Sequence, residues 1–301
     1  MKTNKLFLGL TSAVLALSLA ACGTDTSASE PAPAAAEEAA EEVVEEVVEE
    51  VAEPEVLTII ATANPHEVIL NEAKPILLEK YNVELDIIET EDYYTPNRAV
   101  SDGDADANYF QHVPFFDNEK SENGYAISNV AGIHIEPFGF YSNKYDSLED
   151  LPDGAHIITS NSVADHGRVL EILAKEGLIT LADGVTSLTA TKEDIIDNPH
   201  NYDFSIEVNP EQLTNALEDA QADLVAINGN YAIGAGLKPS EDALLLEQAD
   251  QDNPYVNIVA VQEGHENDAK IQALVEVLQS DEIRSFIEST WSDGSVIPAV
   301  K

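Results

Sequence analysis

Short β-rich apolar runs alternate with helical stretches along the chain after residue 56. The pattern predicts strands at Leu57–Thr62, Val83–Ile88, Ala107–Phe110, Ala155–Thr159, Thr186–Ala190, Leu224–Ile227 and Tyr255–Val261. It predicts helices at Glu67–Tyr81, Arg98–Asp102, Gly167–Glu176, Pro210–Ala220 and Ala269–Leu278. Because strands that alternate with helices favour parallel sheets with right-handed crossovers, the chain is predicted to be an α/β protein.

The alternation falls into two series, with junctions near residues 138–146 and 245–255. We therefore expect two lobes, residues 56–140 with 255–301 and residues 141–254, each built on an open, mostly parallel sheet. Ligands of such sheets bind at the carboxyl ends of the strands. Polar clusters that directly follow strands, and that face a cleft between the lobes, are thus the first candidates for a binding site.

The first 22 residues have the pattern of a secretory signal that ends at a cysteine. Lys2 and Lys5 precede an apolar run that is shorter than the roughly 20 residues needed to span a bilayer. The stretch Leu19–Gly23 resembles a bacterial lipobox, whose cysteine is lipidated and becomes the mature N-terminus. Residues 1–21 are predicted to be a lipoprotein signal peptide. Cys22 is the predicted lipidation site, with acyl chains such as palmitate as the membrane anchor.

Residues 22–55 are rich in Ala, Glu, Val and Pro and contain no aromatic residue. Pairs of Glu recur every four residues, which places like charges on one helix face and disfavours an isolated helix. Since such a segment cannot bury a core, we predict an acidic, disordered tether, with an acidic docking tail as the alternative. The whole chain carries a formal net charge of −43, which argues against nucleic acid as a partner.

Aromatic residues gather after two predicted strands, in the stretches Asp92–Asn97 and Ala107–Phe116. Aromatic rings at strand ends can line an apolar pocket, and His112 would add a polar contact to it. The alternative is ordinary core packing of the rings, with His112 as a helix cap. Spacing alone does not separate the two interpretations.

The stretch Ser160–Arg168 follows a predicted strand and opens a helix. Backbone amides at a helix N-terminus attract anions, and an arginine can bind a carboxylate through two parallel hydrogen bonds. Arg168 is one of only three arginines in this acidic chain, so we interpret it as a carboxylate clamp. The alternative is a surface arginine that pairs with Glu171 or Asp165 on its own helix.

Asparagines follow two further strands, in the stretches Ile227–Ala232 and Asn253–Asn257. Each amide offers both a donor and an acceptor, which suits the ammonium and carboxylate of an amino acid. A simple turn is the alternative, because Asn-Gly is a common turn pair.

Sequence patterns of catalysis are missing. We find no nucleophile elbow, no phosphate-binding Gly-Lys loop and no His-Glu zinc motif. The seven histidines are scattered, and a single cysteine excludes a disulfide framework and a Cys-rich zinc site. We predict a binding protein that is not an enzyme and that has no catalytic residues, no cofactor and no resident metal.

Taken in their order along the chain, the aromatic, arginine and asparagine clusters described above resemble those of the NlpA family of lipoproteins, the methionine-binding components of bacterial ABC importers. The resemblance runs from about Leu57 to Pro298, and its most specific stretches are Asp106–Pro114, Leu151–Ala155, Ile227–Ala232 and Pro254–Asn257. It implies a two-lobed, type II-like periplasmic-binding-protein fold that closes around free L-methionine, with the D-form as a further candidate. It also implies a protein anchored by lipid to the extracytoplasmic face of the cell membrane, with the permease and ATPase subunits of an importer as partners. We expect a monomer.

The family's ligand-binding motifs imply a set of site residues here. The matching positions are Tyr93, Phe110, His112, Phe115, Asp165, Arg168, Asn228 and Asn257. The aromatic residues and the histidine would hold the ligand side chain, the arginine its carboxylate and the asparagines its backbone groups. Phe115 stands where many members have tyrosine.

The chain departs from the family at Asp165, where the family usually has asparagine. An aspartate cannot donate to a carboxylate, although it can pair with an ammonium group. We expect its negative charge to weaken the hold of Arg168 on an anion.

Two alternatives to methionine binding stay open. The same fold could bind another amino acid, a small peptide or a metal ion, and a metal would require His112, His166 and acidic groups to converge. The chain could also be a surface adhesin or structural lipoprotein whose cleft is vestigial.

Overall fold

The computed structural model describes residues 53–205, 207–249 and 253–299. The predicted signal peptide, Cys22 and nearly all of the predicted tether lie outside these ranges. None of the helices within them has the length and hydropathy of a membrane span.

The described residues form two main sheets and one small one. The strands are β1 Glu55–Thr62, β2 Val83–Thr90, β3 Ala107–His112, β4 Ile127–Ile135, β5 Gly139–Tyr141, β6 Ile157–Ser160, β7 Thr180–Leu181, β8 Ile195–Asp197, β9 Glu207–Val208, β10 Leu224–Ile227, β11 Leu245–Leu246, β12 Val256–Gln262 and β13 Ile297–Pro298. The first sheet has the order β13-β4-β12-β3-β1-β2 and the second the order β11-β5-β10-β6-β9. The strands β7 and β8 pair separately.

Helices cover the sheets. They are α1 Val68–Tyr81, α2 Thr95–Asp102, α3 Val113–Asn123, α4 Val163–Lys175, α5 Leu213–Glu218, α6 Gly229–Gly234, α7 Pro239–Asp242, α8 Ala269–Leu278 and α9 Asp281–Thr290. Short helical turns lie at Ala63–Glu67, Leu148–Asp150, Lys192–Asp194 and Pro210–Gln212.

The sheets are mixed, so the prediction of mostly parallel sheets was wrong. In the first sheet β1 pairs in parallel with β2 and β3, whereas β12 runs antiparallel to both β3 and β4. In the second sheet β10 is parallel to β6 but antiparallel to β5. A buried apolar run such as β12 has the same composition in either direction, so its orientation cannot be read from the pattern.

Each sheet has its own apolar core. Alternate residues of β1, namely Leu57, Ile59 and Ala61, are fully buried in the core that also contains residues of α1 and α8. In the second sheet, Ile157 and Leu224 are buried in one core with Leu173 of α4. The period of two along the strands explains why one face of each sheet receives helices.

Most predicted elements exist, and β10 and α8 have the predicted bounds. The predicted strand at Thr186–Ala190 was wrong. The backbone carbonyl of Thr186 accepts hydrogen bonds from the amides of Thr189 and Ala190, and the Thr189 hydroxyl accepts from the Thr186 amide, so the segment closes into a turn. Threonine side chains can satisfy the backbone in this way instead of a β-ladder.

Two predicted boundaries shift. Glu55, the last residue of the predicted tether, is the first residue of β1 and pairs with Val83. The strand β5 at Gly139–Tyr141 belongs to the second sheet, so the predicted lobe boundary after residue 140 divides a strand. The prediction also missed α3, β4 and α9.

Candidate ligand-binding site

A small, nearly closed cleft lies between the ends of the two main sheets, with a cavity volume of about 20 Å³. Its lining residues are Tyr93, Phe110, Gln111, His112, Phe115, Glu136, Arg168, Asn228, Gly229, Asn230 and Asn257. The structure thus brings together all the predicted site residues except Asp165, which lies behind the lining and bonds to two lining residues.

Strand register explains part of this convergence. Asn257 of β12 pairs with His112 at the end of β3 on one side and with His134 of β4 on the other. Residues that pair directly across a sheet point to the same face. Asn228 directly follows β10, and Arg168 lies on α4, so both enter the cleft from the second sheet.

Three aromatic rings form an apolar wall of the cleft. The ring of Tyr93 lies 5.8 Å from that of Phe110 and 5.5 Å from that of Phe115, between ring centroids. The Tyr93 hydroxyl donates a 2.6 Å hydrogen bond to Oδ1 of Asn230 on α6. The wall is therefore apolar, and its one buried hydroxyl is satisfied.

Arg168 is only 3% exposed and pairs with a glutamate that the sequence did not indicate. Its Nε donates to Oε1 of Glu247 at 3.1 Å, and its Nη2 donates to Oε2 of Glu247 at 2.5 Å and to the backbone carbonyl of Glu136 at 2.8 Å. Burial would lower the pKa of Arg168, but the Glu247 carboxylate outweighs it and keeps the guanidinium charged.

The guanidinium is also held by stacking. It lies 4.1 Å from the ring centroid of Tyr255 and 5.2 Å from that of Phe138. The alternative of a surface arginine paired on its own helix was therefore wrong, and Glu171 instead contacts Lys175. Among the described residues, no hydrogen bond uses Nη1 of Arg168.

Asp165 contacts the other wall of the cleft. His112 Nδ1 accepts from the backbone N–H of Phe115, so the ring proton lies on Nε2, which is 3.1 Å from Oδ1 of Asp165. The second carboxylate oxygen accepts from Nδ2 of Asn228 at 3.1 Å. Burial would raise the pKa of Asp165, but these hydrogen bonds and the nearby Arg168 hold it below its usual value.

One lining residue carries an orphan acceptor. Oδ1 of Asn228 is buried and has no hydrogen-bond partner within the described ranges. A buried polar atom without a partner costs free energy, so a native site that contains one is built to receive a donor from elsewhere.

A buried hydrogen-bond network lies behind the cleft. His134 Nε2 donates to Oε1 of Glu136 at 2.8 Å and its Nδ1 accepts from the Tyr109 hydroxyl, while His66 Nε2 lies 3.1 Å from Oδ1 of Asn257. Burial lowers the pKa of His66 to about 4 and that of His134 to about 3, so both are neutral at pH 7. Burial also raises the pKa of Glu136.

His66, His134 and Glu136 are the described residues whose arrangement comes nearest to a metal site. Their facing atoms already bond to one another or to Asn257, so the group is satisfied as a hydrogen-bond network. The histidines considered for a metal in the sequence have separate partners. His112 bonds to Asp165, whereas His166 Nε2 lies 2.9 Å from the carbonyl of Ser160.

Gly229 lets Glu136 approach the start of α6. A Cβ at this position would lie 2.7 Å from Cβ and 2.8 Å from Oε2 of Glu136. The backbone N–H of Asn230 in turn stabilises the charged form of the Glu136 carboxyl. Glycine is therefore required for this carboxylate to reach the cleft.

A larger groove of about 380 Å³ shares Asn230 with the cleft. It is lined by Glu89, Glu91 and Glu211 and by no lysine or arginine. An amino-acid carboxylate would meet only charges of its own sign there. The smaller cleft, which contains Arg168, is the better candidate.

The sequence also matches known proteins. The family model of the NlpA lipoproteins matches residues 57–300. The chain belongs to the NlpA lipoprotein family. The methionine-binding lipoprotein MetQ of Bacillus subtilis is 44% identical over 297 residues, which is 98% of each chain. The D-methionine-binding lipoprotein MetQ of Salmonella typhi is 35% identical over 244 residues, 81% of this chain and 89% of that protein.

Solved structures give the same picture. The structure of a nutrient-binding protein from Burkholderia cenocepacia bound to methionine has a TM-score of 0.75 and 34% identity, and it covers 81% of this chain and 100% of that one. The two-lobed α/β fold expected from the resemblance is therefore confirmed. As an NlpA-family member, the protein is a membrane-anchored, substrate-binding lipoprotein and not an enzyme.

Sequence reasoning missed Gln111, Glu136, Gly229 and Asn230 of the lining, together with Glu247 and His66 behind it. The Asn-Gly-Asn run after β10 was the available signal for Gly229 and Asn230. Glu247 lies 79 residues from Arg168 and is one of 57 acidic residues, so no pattern singles it out.

Proposed function

We propose that this protein captures free L-methionine, with D-methionine as a second ligand, and delivers it to an ABC importer. The observation that carries the proposal is a pair of unused groups in one buried cleft. Oδ1 of Asn228 lacks a donor, and Nη1 of Arg168 lacks an acceptor, within the described residues. An α-amino acid offers an ammonium to the first and a carboxylate to the second.

The aromatic wall supports a thioether side chain. Tyr93, Phe110 and Phe115 form one buried apolar cluster on the lining of the cleft, and an unbranched, polarisable side chain can pack against such rings. The names of the relatives point the same way, since the B. subtilis protein is called methionine-binding and the B. cenocepacia structure is described as bound to methionine. In this proposal Tyr93, Phe110, His112 and Phe115 hold the thioether.

The remaining site residues act on the backbone groups of the ligand. Arg168 and Asn257 bind the carboxylate, Asn228 binds the ammonium, and Asp165 supports Asn228. Glu247 keeps Arg168 aligned by its two hydrogen bonds.

We further propose that two lobes close over the ligand by a hinge motion, with the first lobe boundary placed before β5 at residue 139. Cys22 is the proposed lipid anchor on the extracytoplasmic face of the membrane, and the acidic segment after it is the proposed tether. The partners are the permease and ATPase subunits of the importer, and the protein acts as a monomer.

Calorimetric titration tests the proposal. The purified protein is unfolded and refolded to remove any bound ligand and is then titrated with L-methionine and D-methionine. We expect one-to-one binding with L-methionine. No heat with either form, but binding of another amino acid or a dipeptide, would show that the cleft has a different cargo.

The same titration separates the other candidate functions. Binding that disappears with a chelator and returns with a metal ion would favour a metal cargo. Binding to wall polymers with no small-molecule ligand at all would favour an adhesin or structural lipoprotein.

A further inference from the structure

Two buried asparagines face the cleft from opposite sheets, and each can act in two ways. Asn228 follows β10 of the second sheet, and Asn257 lies on β12 of the first. An asparagine amide presents either its carbonyl oxygen as an acceptor or its NH2 group as a donor, depending on which way it is turned. The neighbours of each amide decide which group faces the ligand.

Asp165 decides the orientation of Asn228. An ionised carboxylate only accepts hydrogen bonds, so the atom of Asn228 that lies 3.1 Å from Oδ2 of Asp165 must be Nδ2. His112 holds the other oxygen of Asp165, which keeps the carboxylate from turning away. Oδ1 of Asn228 is then left on the other side, buried and without a partner in the described part of the chain.

His66 decides the orientation of Asn257. Its Nε2 lies 3.6 Å from Oε1 of Glu136, and this carboxylate favours a proton on the nitrogen, which is also 3.1 Å from the Asn257 amide. The hydroxyl of Thr62 then donates to Nδ1 of the same ring at 2.7 Å. Oδ1 of Asn257 therefore accepts from His66, and its Nδ2 has no hydrogen bond within the described ranges.

The two asparagines are thus turned in opposite senses. Asn228 presents an acceptor to the cleft and Asn257 a donor, and Nη1 of Arg168 is a second donor. We propose that Asp165 and His66 are positioning residues that set the direction of the ligand, with its ammonium at Asn228 and its carboxylate at Asn257 and Arg168. This inference rests on the proposed function, since it concerns how a bound amino acid lies in the same cleft.

The carboxylate at position 165 gains a role by this inference. An asparagine at position 165 could face Asn228 with either of its own groups, so both amides could turn together. An aspartate allows one arrangement only. Asp165 therefore fixes the acceptor face of Asn228 more strictly than an asparagine would.

Two analogues of methionine test the two residues separately. The deaminated analogue keeps the carboxylate and the thioether, and the decarboxylated analogue keeps the ammonium and the thioether. For Asp165→Ala we expect the affinity for L-methionine and for the decarboxylated analogue to fall by about tenfold or more. The affinity of the same variant for the deaminated analogue should be unchanged or higher.

His66→Phe should give the opposite pattern. The affinity for L-methionine and for the deaminated analogue should fall by about tenfold, because the Asn257 amide is free to turn. The affinity for the decarboxylated analogue should be unchanged. His66→Gln, which can still donate to Oδ1 of Asn257, should restore most of the loss. If His66→Phe does not fold, Thr62→Val removes the hydroxyl that fixes the ring tautomer and should give the same pattern with a smaller loss.

The controls separate this inference from the proposed function. Asp219→Ala, an exposed aspartate on the second lobe, should bind all three ligands like the wild type. Equal losses for all three ligands in both variants would mean a general structural role and would overturn the inference while methionine binding stands. Failure of the wild-type protein to bind L-methionine would overturn both.

Discussion

The two walls of the cleft handle buried polar groups in different ways. The first sheet holds two neutral histidines, His66 and His134, which bond to Asn257 and Glu136. The second holds an ionised pair, Arg168 with Glu247, whose side chains are 4% and 11% exposed. Removal of a neutral histidine loses hydrogen bonds, whereas a broken ion pair leaves a charge without its partner. The two walls should therefore respond very differently to mutation and to pH.

The largest effect is expected at Arg168. Arg168→Ala should abolish detectable binding of L-methionine and lower the free energy of unfolding by about 3 kcal/mol, because the partly buried Glu247 loses its cationic partner and keeps only the hydrogen bonds from the Phe138 N–H and Asn253. Calorimetry and urea denaturation measure the two effects. The double variant with Glu247→Ala should recover much of the stability but none of the binding. Arg98→Ala, at an exposed arginine, serves as the control, and a similar loss there would contradict the interpretation.

The stability contributed by the buried histidines of the first sheet should depend on pH. The pKa of His66 is about 4 in the folded protein, whereas its ordinary value is 6.5. At a pH between these two values, His66 is protonated in the unfolded chain but not in the folded protein. The free energy of unfolding should therefore fall as the pH is lowered through this window. His66 alone should contribute about 3 kcal/mol to this fall, because each unit of pKa difference between the folded and unfolded protein is worth about 1.4 kcal/mol.

His66→Gln isolates this share, since glutamine does not titrate. Urea denaturation of the variant should show a flatter dependence on pH than that of the wild type, although the raised pKa of Glu136 contributes a slope of opposite sign to both. His265→Gln, at an exposed histidine, is the control. Identical pH profiles for wild type and His66→Gln would mean that His66 is charged in the fold.

A smaller effect is expected where the two walls meet. Tyr93→Phe removes the hydroxyl that donates to Oδ1 of Asn230 and leaves that acceptor buried, so L-methionine affinity should fall by about tenfold. Tyr94→Phe is a matched control, because the neighbouring ring is 48% exposed. Equal affinities of the two variants would show that the bond does not contribute to binding.

The smallest effect is expected at Phe115. Phe115→Tyr keeps the ring that packs edge-on against Tyr93 and should change L-methionine affinity by less than about threefold. A tenfold change in either direction would mean that the side chain at position 115 helps to determine the affinity for the ligand. Calorimetry with the same ligand stock as for Tyr93→Phe makes the two values comparable.

The sequence predicted the location of several elements and site residues, but not the direction of every strand. Strand–helix alternation located β1, β10 and α8, and the family motifs named residues that the fold does bring together around one cleft. The direction of β12 could not be predicted, because an apolar run packs equally well in a parallel or an antiparallel sheet. That direction is what pairs Asn257 with His112 and His134.

The partners behind the lining could not be predicted either. Asp165 was expected to act on Arg168, yet its direct bonds are to His112 and Asn228, while Glu247 binds the guanidinium. In a chain with 57 acidic residues, ion pairs between distant segments depend on tertiary packing, which local patterns do not report.

Tyrosine hydroxyls tie the sheets together around the cleft. Tyr93 bonds to Asn230, Tyr231 donates to the carbonyl of Glu91, and Tyr255 donates to the carbonyl of Ser187. In the proposed hinge closure, bonds of this kind would hold the closed form and would have to break before a captured molecule leaves. They would then act mainly on the residence time of the ligand. A membrane partner that competes for these hydroxyls would speed release without touching the cargo.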